Sequence, residues 1–392
     1  MIHVAQIVTR FIAGAGGVAL RGAQALDPQC YRVSILAADG GPLLAEAERS
    51  GFEVVRLRHL RPEINPREDL RCLHELTQEL GRLQPDVVHT HSAKAGALGR
   101  LAARRAAVRA AVHTFHGFPF HDFQMPIMRR TYVEVERRLG RHTDRFLAVG
   151  ADVAAEAVRL GIAPPERVRV IAPAIDTSSI VAANPSSRAE ARRRLGVRPD
   201  VPVVGTVGRL APQKAPEHML EAFRRLGRSD ARFVWIGGGP LERRMRELTA
   251  RRGLQSRFLF LGERADVGHL LPGLDVFAMS SLYEGLPCSI AEAMTAGVPV
   301  VATAVNAVPE LVVPGRTGIL VPAGAPTLLA RSIGHLLDHP EERTRLAAAA
   351  QIQVQERFDP AQLGSDLAET YSQLLEERRD APALRLGEAT TA

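Results

Sequence analysis

The sequence predicts an α/β protein with two doubly wound domains, each built on a parallel sheet that helices cover on both faces. Its 392 residues exceed the roughly 150 that one hydrophobic core usually serves. Hydrophobic residues make up 46% of the chain and charged residues 24%, a balance that excludes a disordered or fibrous protein. Short apolar runs alternate with helical patterns along both halves of the chain, and this alternation predicts the parallel sheets.

The predicted strands are the apolar runs, and the predicted helices include 64–82, 94–105, 216–228, 240–252 and 287–296. The strands of the first half are IHVAQIV, YRVSIL, FEVVRL, DVVHTH, RAAVHTF and DRFLAVG. Those of the second half are VPVVGTVG, ARFVWIGG, RFLFLGE, LDVFAMS and VPVVAT. Because the second half repeats the pattern of the first, we expect two similar domains.

The domain boundary is predicted where prolines and small polar residues interrupt the periodicity, in IAPAIDTSSIVAANPSS. The first domain then covers residues 1–175 and the second 176–359. An amphipathic pattern over 360–380 predicts a closing helix, and 381–392 is predicted to be a flexible tail.

A capping-box spacing predicts where the first helix of the second domain begins. Ser187 lies three residues before Glu190, so the helix is expected to start there and to end near Leu195.

Cysteine usage and hydropathy predict a cytoplasmic protein without structural metal. Cys30, Cys72 and Cys288 are far apart and show no CxxC spacing, so neither a disulfide framework nor a zinc site is expected. No apolar run approaches the ~20 residues of a membrane helix. The amino-terminal stretch lacks the basic start of a signal peptide.

The net charge of +7 is concentrated in one region. Residues 94–145 contain eleven basic and four acidic residues, a surplus equal to that of the whole chain. Such a patch attracts lipid headgroups, nucleic acid or phosphorylated substrates, and composition does not choose among them.

The site is expected in the loops that follow the strands, because ligands of open α/β sheets bind outside the carboxyl ends of the strands. A glycine-rich loop containing Gly16 and Gly17 follows the first strand and allows backbone amides to approach a phosphate or sugar. The alternative is a tight turn without a ligand. The spacing departs from the GxGxxG fingerprint, which argues against a nicotinamide enzyme.

Two further loops carry charged side chains. Arg209 and Lys214 in GRLAPQK form a pair of cations suited to a diphosphate, unless they are merely solvated. Glu284 and Glu292 in EGLPCSIAEA are suited to accept hydrogen bonds from sugar hydroxyls, the alternative being surface acids. The apolar neighbours of Glu292 favour a functional role.

The helix after Glu284 is predicted to begin at Pro287, with Leu286 as a cap that has no side-chain oxygen. The amides of Cys288 and Ser289 would then be available to an anion.

The fourth loop, VHTFHGFPFHDFQMP, is rich in phenylalanine and histidine. His116, at the end of a strand, is predicted to enter the site as a hydrogen-bonding group. The phenylalanines that follow form either an apolar lip or a loop packed on its own domain. No HExxH or HxxxH helix frames the histidines of this loop, so no metal is expected.

Taken together, these segments resemble the retaining glycosyltransferases of family 4, which share the GT-B fold of two Rossmann-like domains. The resemblance covers nearly the whole chain, in the family's order. The segments that carry it are GRLAPQK, EGLPCSIAEA, GVPVVATAVNAVPELVVPGRTGILVPAG, IGGGPLERRM, LGERADVGHLLPGLDVFAMSS, THSAKAGALGRLAA and HTFHGF.

The resemblance implies roles for the charged residues. Arg209 and Lys214 would neutralise the donor diphosphate, Glu284 would approach the donor sugar, and Glu292 would bind the nucleotide ribose. His116 would reach toward the hydroxymethyl group of the donor sugar.

It also implies roles for backbone and flanking groups. The amides of Leu286, Cys288 and Ser289 would meet phosphate or sugar. Arg264 would pack on the base, and Glu310 would lie near the donor. Gly16 and Gly17 would approach the diphosphate and the acceptor.

Two departures from the family pattern affect these expectations. The residues Pro173, Ala174, Ile175 and Asp176 replace the usual Asn-Gly-Ile-Asp of the interdomain hinge. Asn306 and Ala307 replace a common glycine pair, which would reshape the sugar end of the pocket. The resemblance further implies that the helix over 360–380 crosses back onto the first, acceptor-binding domain.

The function implied is transfer of a sugar from a nucleoside diphosphate sugar, with UDP expected, to an acceptor hydroxyl with retention of configuration. The donor is a co-substrate, and no metal or other cofactor is expected. A glycan, a lipid-linked molecule or a small molecule is the expected acceptor, in bacterial polysaccharide or glycoconjugate synthesis.

The basic region 94–145 suits an anionic membrane surface, with the enzyme peripheral at its inner face, or is a solvated surface. Two other functions stay open: a sugar-nucleotide epimerase on the same fold, and a non-catalytic protein that binds nucleic acid or membrane through its basic face. The second of these predicts binding that weakens steeply with salt.

Overall fold

The computed structural model describes residues 1–12, 14–175 and 179–380. They form two compact units. The first unit contains residues 1–149, 153–174 and the chain from residue 360, and the second contains 150–152 and 175–359. The predicted tail 381–392 and Asp176 of the predicted hinge lie outside the described residues.

The first unit is built on a seven-stranded sheet with the strand order β3-β2-β1-β4-β5-β6-β7. All of its strand pairs are parallel. The strands are β1 (Ile2–Arg10), β2 (Tyr31–Ala38), β3 (Glu53–Leu57), β4 (Val87–His91), β5 (Ala110–Phe115), β6 (Arg145–Ala148) and β7 (Val168–Val170). The helices that accompany it are α1 (Ala15–Ala25), α2 (Pro42–Arg49), α3 (Pro66–Leu83), α4 (Ala93–Arg105), α5 (Pro126–Gly140), α6 (Ala151–Arg159) and α15 (Pro360–Asp380).

The second unit is built on a six-stranded parallel sheet with the order β10-β9-β8-β11-β12-β13. Its strands are β8 (Val203–Val207), β9 (Arg232–Ile236), β10 (Phe258–Phe260), β11 (Val276–Met279), β12 (Val300–Thr303) and β13 (Gly318–Val321). Its helices are α7 (Pro185–Leu195), α8 (Pro216–Leu226), α9 (Glu242–Arg251), α10 (Val267–Leu270), α11 (Cys288–Thr295), α12 (Val308–Leu311), α13 (Pro326–Asp338) and α14 (Pro340–Arg357).

The predicted fold class is confirmed, since both sheets are parallel and doubly wound. In the first unit the strand order reverses between β1 and β4, and in the second between β8 and β11. Ligands of this fold class bind at such reversals. The strands β7 and β13, which are three and four residues long, were not among the predicted strands.

The start predicted for α7 is wrong by two residues. The helix begins at Pro185, and the side chain of Asn184 accepts hydrogen bonds from the amides of Ser186 and Ser187. Ser187 completes a capping box by accepting from the Asn184 amide. Asparagine before proline is the stronger start signal, because proline fits the first helical position.

The last helix, α15, packs on α1 within the first unit. A Cβ added at Gly364 would lie 2.2 Å from the carbonyl oxygen of Ala25, so glycine permits the close approach of the two helices. Tyr371 of α15 is fully buried, and its hydroxyl lies 2.6 Å from Nδ1 of His89. Among the described residues, the structure contains no helix long and apolar enough to cross a membrane.

A buried carboxylate joins α7 to the sheet of the second unit. Asp275 pairs with Arg192 at 2.8 Å and Arg188 at 2.5 Å, and accepts the amide of Val203 at 2.7 Å. Arg343 on α14 lies 3.3 Å from the same carboxylate. The side chains of Asp275 and Arg192 are only 8% and 4% exposed. Because water reaches neither charge, each depends on the other for its stabilisation.

Replacing Asp275 with alanine is therefore expected to lower the free energy of unfolding by about 3 kcal/mol, because it leaves buried guanidinium groups unpaired. Urea unfolding followed by circular dichroism measures the change. The control is Asp230→Ala, which removes a half-exposed partner of Arg228 and is expected to change stability by less than about 1 kcal/mol. Equal effects of the two substitutions would contradict the role of Asp275.

Candidate functional site

The loop after β8 is held in place at the carboxyl end of the second sheet. The indole Nε1 of Trp235 donates to the carbonyl of Gly208 at 2.8 Å. A Cβ added at Gly237 would lie 2.3 Å from the Gly208 oxygen, and one at Gly239 would lie 2.5 Å from the Leu210 oxygen. The glycines of IGGGP thus allow the backbone after β9 to support the loop that carries Arg209.

The structure brings one predicted cation and one predicted carboxylate into contact. Nζ of Lys214 lies 2.6 Å from Oε1 of Glu284, and the two side chains are 17% and 6% exposed. Arg209 is exposed and makes no ion pair with any residue that the structure describes. The guanidinium of Arg209 is therefore available to an external anion.

Glu284 is held by groups from three neighbouring strand ends. Gln213, after β8, donates through Nε2 to Oε2 of Glu284 at 3.2 Å and to the carbonyl of Tyr283 at 3.0 Å. The amide of Glu284, after β11, donates to Oδ1 of Asn306 at 2.9 Å. Asn306 follows β12, so the carboxyl ends of β8, β11 and β12 converge on Glu284.

Asn306 explains one departure from the family pattern. Its φ of 44° lies in the left-handed region that glycine and asparagine adopt most readily. Asparagine thus keeps the backbone conformation where the family often has glycine, and adds a side chain that holds Glu284.

The start of α11 differs by one residue from the prediction. Its first residue is Cys288, and Pro287 rather than Leu286 occupies the cap position. Leu286 is buried, so its side chain belongs to the apolar core of the second unit. No side chain among the described residues caps α11, so its first amides, including those of Cys288 and Ser289, carry the positive end of the helix dipole.

The thiol of Cys288 is not a nucleophile at neutral pH. Burial, assisted by the nearby Glu292 carboxylate, raises the pKa of Cys288 to about 12. Glu292 is half-buried, one helical turn after Cys288.

Arg264 and Glu310 lie in local ion pairs of the second unit. Arg264 donates two hydrogen bonds to Asp266 at 2.8 and 2.7 Å, which lower the pKa of that carboxyl. Glu310 accepts from Arg357 at 2.7 Å and from the amide of Asp152 at 3.0 Å. Both carboxylate oxygens of Glu310 are therefore engaged within the protein.

In the first unit, His116 pairs with a histidine that sequence reasoning missed. Nε2 of His116 lies 2.9 Å from Nδ1 of His91, at the end of β4. Burial lowers the pKa of His116 to about 4 and that of His91 well below its usual range, so both rings are neutral at pH 7. His116 is therefore a neutral hydrogen-bonding group.

The glycine-rich loop is partly a helix. Gly16 and Gly17 lie in the first turn of α1, which corrects the expectation that both lie in a loop. A Cβ added at Gly16 would lie 3.0 Å from the carbonyl oxygen of Arg10, so a side chain here would crowd the backbone at the end of β1. At Gly17 the nearest side-chain atom would be 4.0 Å away, which leaves room above the helix.

Some phenylalanines of the phenylalanine-rich segment pack on their own domain, and one is exposed. Phe118 lies 5.1 Å from Phe115 and 4.8 Å from Phe120, measured between ring centroids, and Phe115 stacks on Phe146. These rings pack on their own unit. Phe123 is 62% exposed. In the part of the chain that the structure describes, no group of three or more metal-ligating side chains is clustered.

Two residues that were not predicted, Gln213 and His91, and one that was noted only as a departure, Asn306, contact the predicted residues. Gln213 stands beside Lys214 in the sequence, and Asn306 occupies the position of a family glycine, so both had a local signal. His91 had only the alternation of DVVHTH, which indicated a buried strand.

Both halves of the chain match models of glycosyltransferase families. Residues 187–353 match the model described as glycosyl transferases group 1, and residues 12–179 match that of glycosyltransferase family 4. The D-inositol 3-phosphate glycosyltransferase of Streptomyces scabiei is 31% identical over 315 residues, which are 75% of this chain and 69% of that protein.

The name of a second relative includes its donor and its acceptor. The UDP-Gal:α-D-GlcNAc-diphosphoundecaprenol α-1,3-galactosyltransferase of Escherichia coli is 29% identical over 304 residues, 75% of this chain and 77% of that protein.

Solved structures share the fold of the whole chain. Anabaena Alr3699/HepE in complex with UDP and glucose matches with a TM-score of 0.82 at 22% identity, over 95% of this chain and 100% of that chain. WaaG, a glycosyltransferase involved in lipopolysaccharide biosynthesis, matches with a TM-score of 0.75 at 17% identity, over 95% and 100% of the two chains. The expected GT-B fold is thus confirmed, and the chain belongs to the group 1, family 4 glycosyltransferases.

Proposed function

We propose that the protein transfers a sugar from a UDP-sugar to an acceptor hydroxyl with retention of anomeric configuration. The observation that carries this proposal is the Lys214–Glu284 pair at the strand reversal between β8 and β11. Arg209 and the first turn of α11 follow the same two strands. The E. coli relative is named for a UDP-sugar donor, and the Anabaena structure contains UDP, which supports the choice of base.

The cations of this site stabilise the leaving diphosphate. Negative charge grows on the diphosphate as the bond to the anomeric carbon breaks. Arg209 supplies a forked guanidinium, Lys214 supplies a second positive charge, and the α11 amides donate hydrogen bonds. Because these groups are held in place before the reaction, they need little reorganisation in the transition state.

Glu284 and Glu292 bind hydroxyl groups of the donor. Lys214 places a positive charge beside the Glu284 carboxylate. The remaining lone pairs of that carboxylate accept hydrogen bonds from the sugar hydroxyls. Glu292 binds the ribose, Arg264 packs on the base, and Glu310 orders the turn after β12 through Arg357.

Retention is proposed to occur by attack on the same face. The acceptor oxygen bonds to the anomeric carbon as the carbon–phosphate oxygen bond breaks, and the acceptor proton passes to the departing phosphate oxygen. The protonated thiol of Cys288 does not supply a covalent nucleophile. Hydrogen bonding by His116 to the sugar is part of the same proposal.

We further propose a lipid-linked acceptor at an anionic membrane surface. Phe123, Met125, Ile127 and Met128, here called the apolar cluster, are 62%, 62%, 72% and 41% exposed. They lie at the start of α5, whose exposed face also carries Arg130, Arg138 and other cations of the region 94–145. Exposed apolar side chains beside cations are typical of surfaces that bind the membrane interface.

The donor site is tested by the substitution Glu284→Gln. We expect kcat with the preferred UDP-sugar to fall about 100-fold, because the neutral amide loses both the ion pair and an acceptor for the sugar. Initial rates by coupled detection of released UDP measure this loss. The matched control, Glu356→Gln, changes an exposed glutamate of α14 and is expected to leave kcat unchanged. No turnover of any nucleotide sugar by the wild type would refute the transfer.

The stereochemical claim is tested by proton NMR of the first product formed. Retention predicts an α-linked product from an α-configured UDP-sugar, and the anomeric coupling constant of the new glycosidic bond shows which configuration has formed. A β-linked first product would show inversion, and a changed donor sugar without transfer would favour the epimerase.

Membrane docking is tested by sedimentation with vesicles of phosphatidylglycerol and of phosphatidylcholine. The wild type is expected to prefer the anionic vesicles, and the double substitution Phe123→Ser, Ile127→Ser to weaken binding about tenfold through lost apolar burial. The control Ile352→Ser changes a side chain on α14 that is 58% exposed. Equal loss in the control, or no preference for anionic lipid, would refute docking by the apolar cluster.

A further inference from the structure

A small cavity lies at the strand reversal of the first unit, and its largely apolar lining includes four polar residues. Gln6 on β1, His89 and His91 on β4 and Thr114 on β5 line it. Apolar side chains, among them those of α1 and α15, form the rest of its lining, and its volume is about 20 Å³. A cavity of this size holds one water molecule when polar partners are present.

The sheet register places these polar side chains on one face. Gln6 is opposite His89 in the pairing of β1 with β4, and His91 is opposite Thr114 in the pairing of β4 with β5. Residues opposite each other, and alternate residues along a strand, point to the same side of a sheet. The four side chains therefore gather beneath α1 and α15.

Three polar atoms at this cavity have no hydrogen-bond partner among the described residues. They are both amide atoms of Gln6 and Nε2 of His91. Gln6 is 0% exposed and His91 3% exposed. Buried polar atoms are nearly always paired with protein or with ordered water, and a buried water makes about three hydrogen bonds. One water fits both the volume and the partners.

The neighbouring histidine does not take this role. His89 stacks beside His91 with ring centroids 4.3 Å apart. Its Nδ1 bonds the Tyr371 hydroxyl at 2.6 Å and its Nε2 bonds the Thr114 hydroxyl at 2.7 Å. Both nitrogens of His89 are thus engaged, which leaves the cavity to Gln6 and His91.

The contact of Nδ1 of His91 with the ring of His116 links the tautomers of the two histidines. Nδ1 of His91 and Nε2 of His116 are 2.9 Å apart, and one hydrogen lies between them because both rings are neutral. If His91 donates, its hydrogen is on Nδ1, and the hydrogen of His116 must also be on Nδ1. If His116 donates, both hydrogens are on Nε2. The two rings therefore share one tautomer.

We propose that a water bound between Gln6 and His91 holds His91 in one tautomer and thereby sets the tautomer of His116. Gln6 and His91 are then positioning residues for the nitrogen that His116 offers to the donor sugar. Only this last step rests on the proposed function. The water and the shared tautomer follow from the first unit alone.

The test is nitrogen-15 NMR of histidine-labelled full-length protein. In the wild type, His91 and His116 are expected to show one neutral tautomer each, protonated on the same type of nitrogen. In Gln6→Leu, which keeps the side-chain size, both are expected to become mixtures. The control Gln78→Leu changes an exposed residue of α3 and should leave both unchanged. Unchanged tautomers in Gln6→Leu, or different tautomers in the wild type, would overturn the inference.

A crystal structure of the wild type gives a second test that needs no variant. It is expected to show one water within hydrogen-bond distance of Gln6 and of Nε2 of His91. A dry cavity would overturn the inference.

The role toward the sugar has its own readout. In Gln6→Leu, kcat is expected to fall about tenfold with the donor KM within about twofold, since one oriented hydrogen bond is lost mainly in the transition state. Unchanged kcat with mixed tautomers would refute the positioning role. If the wild type turns over no nucleotide sugar, the proposed function fails, while the NMR and the crystal structure still decide on the water and the tautomers.

Discussion

The Lys214–Glu284 ion pair is the interaction on which the site of the second unit depends. It joins the loop after β8 to the loop after β11, where the strand order of the sheet reverses. Because both side chains are largely buried, removing either partner would leave the other charge buried and unpaired. Gln213 and Asn306 extend this contact to the backbone of Tyr283 and Glu284. The carboxylate is thereby oriented before any ligand arrives, as electrostatic catalysis requires.

Close backbone packing, which glycines permit, makes this arrangement sterically possible. Gly237 and Gly239 let the chain after β9 lie against the loop that carries Arg209. In the first unit Gly16 brings α1 against β1, and Gly364 brings α15 against α1. A side chain at any of these four positions would separate elements that must touch. The same helices, α1 and α15, contribute to the lining of the cavity beside Gln6 and His91.

Sequence reasoning located the sheets, and it selected the residues of the candidate site, because both leave local signals. Strand-helix alternation predicted the two parallel sheets, and loop position selected Arg209, Lys214 and Glu284. Local signals could not show that Lys214 and Glu284 form a pair, since 70 residues separate them. Nor could they show that Gln6 and His91 line one cavity, which requires the strand order of the first sheet. The errors at Pro287 and at Gly16 concern single turns, where one residue decides between loop and helix.

The central claim is that Arg209, Lys214 and the start of α11 bind a diphosphate. Calorimetric titration of the wild type and of Arg209→Met with UDP and with uridine tests it most directly. We predict that UDP binds the wild type at least about tenfold more tightly than uridine, and that most of this advantage is lost in the variant. Equal affinities for UDP and uridine in the wild type would contradict the account.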